Sequence, residues 1–146
     1  MRAVVQRVSR ASVEIEGKIF GKIKEGIVVF VAINETDNDK SIEWMSNKLV
    51  NLRIFPDENG KMDKSVSDIR GGILLISNFT LYGDAKKGFR PSFIQSAKPE
   101  FSEPMFNKLL DYLRTNYDLQ VETGKFGAMM NIELVNDGPV TIIIDY

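Results

Sequence analysis

Few stretches of this chain hold residue types that could do chemistry. Ser77-Asn78-Phe79-Thr80 closes an apolar run, Ile73-Leu74-Leu75-Ile76, that reads as a buried strand. Ligands favour the carboxyl ends of strands in α/β sheets, so the N–H groups, amide and hydroxyls here could floor a pocket. A strand ending in ordinary satisfied polar residues would look the same. Asn136-Asp137-Gly138-Pro139 is the second stretch. Turn chemistry alone makes it a hairpin turn. A cis Gly138–Pro139 peptide would instead aim two carbonyls one way with no competing proline N–H, an acceptor pair for an ammonium group. Sequence does not fix the isomer. The third stretch is Gly124-Lys125-Phe126-Gly127-Ala128-Met129-Met130. Its small residues admit close backbone approach, and Phe126, Met129 and Met130 offer apolar walls. Core packing beside a turn explains it equally well. Lys86-Lys87-Gly88-Phe89-Arg90 gathers positive charge around one aromatic, either for phosphates or as solvated surface.

Two absences narrow the chemistry. The chain has no His and no Cys. Ser-His-Asp and Cys-His catalysis are impossible within it, and a structural zinc site is excluded in practice. Neither metal nor cofactor is expected. Carboxylates, Lys, hydroxyls, backbone groups or the substrate's own atoms must carry any reaction. The net charge of −1 predicts that a nucleic-acid contact would be small and local. No run of 18 apolar residues predicts a membrane span. The opening Met1-Arg2-Ala3-Val4-Val5-Gln6-Arg7 is charged too early for a signal peptide, so a cytoplasmic location is expected.

The elements that must position these residues follow from periodicity. No repeat, linker or low-complexity segment divides the chain, so residues 1–146 read as a single domain. Alternation over 2–8 and 12–16 predicts two strands joined near Ser9-Arg10. Ile19, Phe20 and Ile23 precede a turn at Glu25-Gly26. The β-branched run Ile27–Ile33 predicts a strand buried on both faces. Ile42, Met45, Leu49 and Leu52 mark a helix over 38–52. A turn at Pro56–Gly60 opens a long polar loop to Gly72. A second helix spans 102–116, with Ser102 as N-cap and Pro104 in the first turn. Strands at 129–135 and 140–145 close the chain. The order β-β-β-β-α-β-α-β-β predicts an α/β fold with mixed sheets and two main helices.

Taken together, the motifs resemble those of the D-aminoacyl-tRNA deacylases. The resemblance runs through Met1–Val8, Leu52-Arg53-Ile54-Phe55, Gly60-Lys61-Met62, Lys87–Phe93, Ser77–Tyr82, Thr123–Ala128 and Asn136–Thr141. Any one is weak, but their order covers essentially the whole chain. One position departs: the family motif usually reads Ser-Gln-Phe-Thr, and Asn78 is one methylene shorter.

The resemblance implies a three-layer β/β/α sandwich and a homodimer with shared active sites. It implies that Gly138-Pro139 is cis and enters the partner's site as a chirality filter, its carbonyls holding the substrate α-ammonium. It places Arg7, Phe126 and Met130 around the pocket. The implied partner is the 3′ end of aminoacyl-tRNA, and the implied reaction is hydrolysis of the D-aminoacyl ester. Glycyl-tRNA, with no side chain to exclude, would be a second substrate. An aminoacyl ester is already reactive. Oriented water, N–H groups around Asn78 and Phe79 for the oxyanion, and the ribose 2′-hydroxyl suffice for its cleavage. Thr80 as covalent nucleophile is the rival mechanism, and it lacks an evident base. The rival function is a non-catalytic dimeric module that binds nucleic acid or a protein partner.

Overall fold

The computed structural model describes every residue from Met1 to Tyr146. Its spine is a long strand, β1 (Arg2–Ile15). Along one edge β1 pairs with β8 (Asn131–Asp145), antiparallel, from Arg2↔Asp145 to Glu14↔Asn131. Its other edge is divided. Residues 2–8 pair with β3 (Gly26–Ala32), and residues 11–15 pair with β2 (Lys18–Ile23), both antiparallel. Next to β3 lies β6 (Gly72–Ser77), and next to that β7 (Gln120–Thr123), both parallel. Gln120 Nε2 donates to Lys22 O at 3.1 Å, so β7 returns to β2 and the sheet curls nearly closed. At the crowded start of β3 and β6 two glycines face each other. A Cβ on Gly26 would lie 1.9 Å from Gly72 O.

The central strands are apolar on both faces because each face has its own core. Ile27, Val29 and Val31 of β3, with Ile73 and Leu75 of β6, face two helices, α1 (Asp39–Asn51) and α2 (Pro99–Asn116). Ile42, Met45 and Leu49 of α1 and Phe106, Leu109 and Leu113 of α2 complete that larger core. Val28, Leu74 and Ile76 face the other way, meeting Val8, Ala11, Val13 and Ile23 inside the curl. Period-2 alternation on two buried faces thus gives three layers, β/β/α. No helix is long and apolar enough to cross a membrane.

Four expectations need correction. The two opening strands are one: Ser9 and Arg10 break the apolar pattern, yet Arg10 still pairs with Val135. The two closing strands are also one, and Asn136–Pro139 is no hairpin turn. Asn136 Oδ1 accepts the Val140 N–H at 2.9 Å, so the chain bulges over Asp137–Pro139 and continues as the same strand. Helix α2 starts at Pro99 after Lys98; Ser102 is not its cap but donates to Lys98 O at 3.0 Å, and Pro104 lies inside the helix. The long loop contains a small hairpin, β4 (Phe55–Pro56) with β5 (Met62–Lys64), and β7 went unpredicted. Of its four residues only Val121 is apolar, too little pattern to read.

Candidate active site

Strands β3 and β6 run parallel and end side by side, with Val31 opposite Ser77. Beyond those carboxyl ends opens a cleft of about 650 Å³. Ser77, Asn78 and Phe79 line it, with Phe126 to Met130 forming a wall and Phe106 of α2 behind. Fourteen of its twenty lining residues are hydrophobic and none is ionisable. Side-chain acid–base catalysis therefore has no agent inside the cleft.

Backbone groups remain. The Asn78 N–H donates to Val31 O at 2.8 Å, so it is committed to the sheet and is not a free oxyanion donor. Phe79 and Thr80 begin a short 3-10 turn, Phe79–Tyr82, where the first N–H groups have no partner within the turn. That turn is fixed from outside. Gly83 N–H donates to Thr80 O at 2.9 Å, and Arg2 Nη1 donates to Leu81 O at 3.2 Å. Arg2 also pairs with Asp145 at 2.6 Å and lies 5.2 Å from the centre of the Tyr82 ring. The hydrogen bond to Asp145 holds the guanidinium pKa above its ordinary value. Burial, then the charge of Asp37, pushes the Tyr82 phenol up to about 12, so it stays neutral at any working pH.

Thr80 is exposed and is not among the residues lining the cleft. Its hydroxyl donates to Asn78 Oδ1 at 2.6 Å. An amide oxygen is a hydrogen-bond acceptor and not a base that could activate a nucleophile. Phe79 packs edge-on against Phe93, with centroids 5.2 Å apart, and Phe126 leans on Phe106 at 6.0 Å. Sequence reasoning missed Phe93 and Phe106 as cleft residues. Phe93 closes a motif already singled out, but Phe106 carried only the signature of a helix core.

Arg7, Gly138 and Pro139 do not reach this cleft. Gly138 and Pro139 form an exposed knuckle on β8, joined by a cis peptide. Beneath it lies the buried side chain of Arg7. Its Nη1 donates to Ile54 O at 2.6 Å, and its Nε lies 3.0 Å from Asp137 Oδ2 and 3.3 Å from Asp137 O. Gly138 has φ +126°, a conformation L side chains rarely adopt. A Cβ there would stand 2.7 Å from Val140 Cγ2 and 2.9 Å from Val140 N. No group of three or more His, Cys, Asp or Glu side chains gathers anywhere in the fold.

The family model described as D-Tyr-tRNA(Tyr) deacylase matches residues 4–145. A protein of Thermosipho africanus named D-aminoacyl-tRNA deacylase is 50% identical over 145 residues, 99% of this chain and 97% of its own. One of Syntrophomonas wolfei with the same name and coverage is 53% identical. A solved structure titled c-Myc DNA Unwinding Element Binding Protein superposes with a TM-score of 0.95 at 43% identity, covering 100% of this chain and 99% of that one. Another, titled as a probable eukaryotic D-amino acid tRNA deacylase, superposes at 0.87 over 99% and 98% of the two chains; at 16% identity that likeness is one of fold. A family match along nearly the whole length, with half the residues shared with named enzymes, places this chain in the D-Tyr-tRNA(Tyr) deacylase family.

Proposed function

We propose that this chain hydrolyses the ester joining a D-amino acid, or glycine, to the 3′-terminal adenosine of tRNA, working in the cytoplasm as a homodimer. One observation carries the reading. The cleft that would hold the aminoacyl group contains no carboxylate to bind its α-ammonium, while a rigid Gly138–Pro139 knuckle stands exposed outside it. Each half lacks what the other has. In a two-fold dimer the same pair of surfaces meets twice, and each knuckle supplies ammonium acceptors to its partner's cleft. Arg7 then acts by bracing the knuckle, and Phe126 and Met130 form apolar walls around the substrate.

The chemistry uses no side-chain base. Water adds to the ester carbonyl, the oxyanion faces the N–H groups of Phe79 and Thr80, and the bond to the ribose oxygen breaks. The vicinal 2′-hydroxyl relays the water proton to the departing oxygen. Ser77 and Asn78 hold the turn in register with β3, and Thr80 holds the Asn78 amide. An L side chain is directed into protein backbone and is excluded; glycine passes. The test is release of free amino acid from D-tyrosyl-, glycyl- and L-tyrosyl-tRNA by purified protein. The first two should be hydrolysed and the third spared. Equal rates on D- and L-tyrosyl-tRNA would refute the selectivity.

A further inference from the structure

Lys86, Lys87 and Arg90 belong neither to the cleft nor to the knuckle. They ride on a loop closed by Asp84 and Ser92, whose backbones exchange two hydrogen bonds of 2.8 Å. Asp84 Oδ1 accepts the Lys86 N–H at 2.9 Å, and Gly88 turns the tip at φ +70°. Five of the nineteen Lys and Arg side chains are paired, Arg2 with Asp145, Arg7 with Asp137, Arg53 with Asp63, Lys64 with Glu58 and Lys108 with Asp39, and all five lie outside this loop. The three loop cations join no ion pair, although the chain as a whole has a net charge of −1. At the same tip the Phe89 ring is wholly exposed. Solvent-facing aromatic surface beside unpaired positive charge is the composition of a single-stranded nucleic-acid strip.

The loop is tied to the cleft at both ends. Gly83, just before it, donates to Thr80 O in the turn that carries Phe79. Phe93, just after it, lines the cleft and packs on Phe79. Arg90 is three residues from Phe93, so their Cα atoms lie within roughly 11 Å.

Resting on the deacylase reading, we propose that this loop docks the single-stranded 3′ end of the tRNA as it leaves the cleft. Lys86, Lys87 and Arg90 meet its phosphates, and Phe89 stacks on a base. The test compares two substrates, D-tyrosyl-tRNA and 3′-O-D-tyrosyl-adenosine, which has the ester but no phosphates. Changing Lys86, Lys87 and Arg90 together to Gln should lower the ratio of kcat/KM for tRNA to that for the adenosine ester by about tenfold or more. The log–log salt dependence of KM for tRNA should flatten by about 2, from three single-strand phosphate contacts. Phe89→Ala should lower the same ratio by about tenfold at any salt concentration. An unchanged ratio with both esters still cleaved overturns the loop's role alone. So does a fall in oligomeric mass in the Gln variant, which would assign the loop to contact between copies. If the unaltered protein cleaves neither ester, the deacylase reading falls and this proposal with it.

Discussion

The cleft beyond β3 and β6 and the knuckle on β8 differ in almost every physical respect. The cleft is apolar and free of ionisable side chains, shaped by Phe79, Phe106, Phe126 and Met130. The knuckle is exposed at its tip and held from below by charge: a buried guanidinium reaches Ile54 O and Asp137. The cleft sits where two parallel strands end, a place any fold of this kind offers. The knuckle interrupts an antiparallel pair in mid-strand, where the register with β1 shifts on either side of Val8. An apolar cleft supplies affinity and little discrimination, whereas a braced polar corner supplies discrimination and little affinity. In the proposed homodimer, each knuckle would complete the cleft of the other chain.

The comparison breaks most sharply at Gly138. Gly138→Ala sets a Cβ against Val140 in a backbone that L residues avoid. Because the site is on the surface, the strain should cost folding only about 1–3 kcal/mol, while displacement of the acceptor pair costs about a hundredfold in kcat/KM on D-tyrosyl-tRNA. Denaturant melts and single-turnover rates on one preparation check both numbers. Next comes Arg7→Met, which keeps the apolar stem and removes every bond of the guanidinium. The buried Ile54 carbonyl loses its partner, for about 1–3 kcal/mol of stability. Discrimination between D- and L-tyrosyl-tRNA should loosen about tenfold as the brace goes, while a stability loss with discrimination intact would make Arg7 a packing residue only.

Inside the cleft, effects should be smaller wherever side-chain oxygen is removed. Thr80→Ala deletes one hydroxyl whose partner is an amide, so activity should fall by less than about tenfold. A loss beyond about a thousandfold with the fold intact, or an acyl group trapped on Thr80, would restore the nucleophile mechanism. Smallest of all is the response to acid. Backbone N–H groups, from Lys61 above all, hold the Asp57 carboxyl below its ordinary 3.8; Ser65 does the same for Asp68, and Lys64 holds Glu58 below 4.5. A depressed carboxyl stabilises the fold above its unfolded pKa and loses that contribution as pH falls through the folded value. The 57–68 hairpin region should therefore loosen below about pH 4 before the cleft does, as hydrogen exchange across the two regions would show.

Strands buried on both faces were legible because alternation hardly matters to them: Ile27–Ile33 and Ile73–Ile76 are apolar at every position. Helix α1 was legible from its spacing, while the cap that starts it, the Asn38 side chain accepting the Lys40 N–H, was not read from the sequence. Ser77, Asn78, Phe79, Phe126 and Met130 all line the one cleft, though nothing in their spacing announced that they would meet. The mid-strand bulge was not legible. Asn136-Asp137-Gly138-Pro139 has the composition of a hairpin turn, and only the bond from Asn136 across to Val140 shows that the strand carries on. The commitment of the Asn78 N–H was equally hidden, because it depends on Val31, far away in sequence.

Subunit mixing tests the proposed shared site most directly. Gly138→Ala and Phe79→Ala proteins are each prepared as inactive parents, then exchanged through a dissociating step and returned to assembly conditions. A heterodimer gathers both defects into one site and leaves the other intact. Random exchange should restore about a quarter of the unaltered activity on D-tyrosyl-tRNA. If exchange is complete by mass and the mixture stays as inactive as its parents, the cleft and the knuckle do not serve each other across two chains.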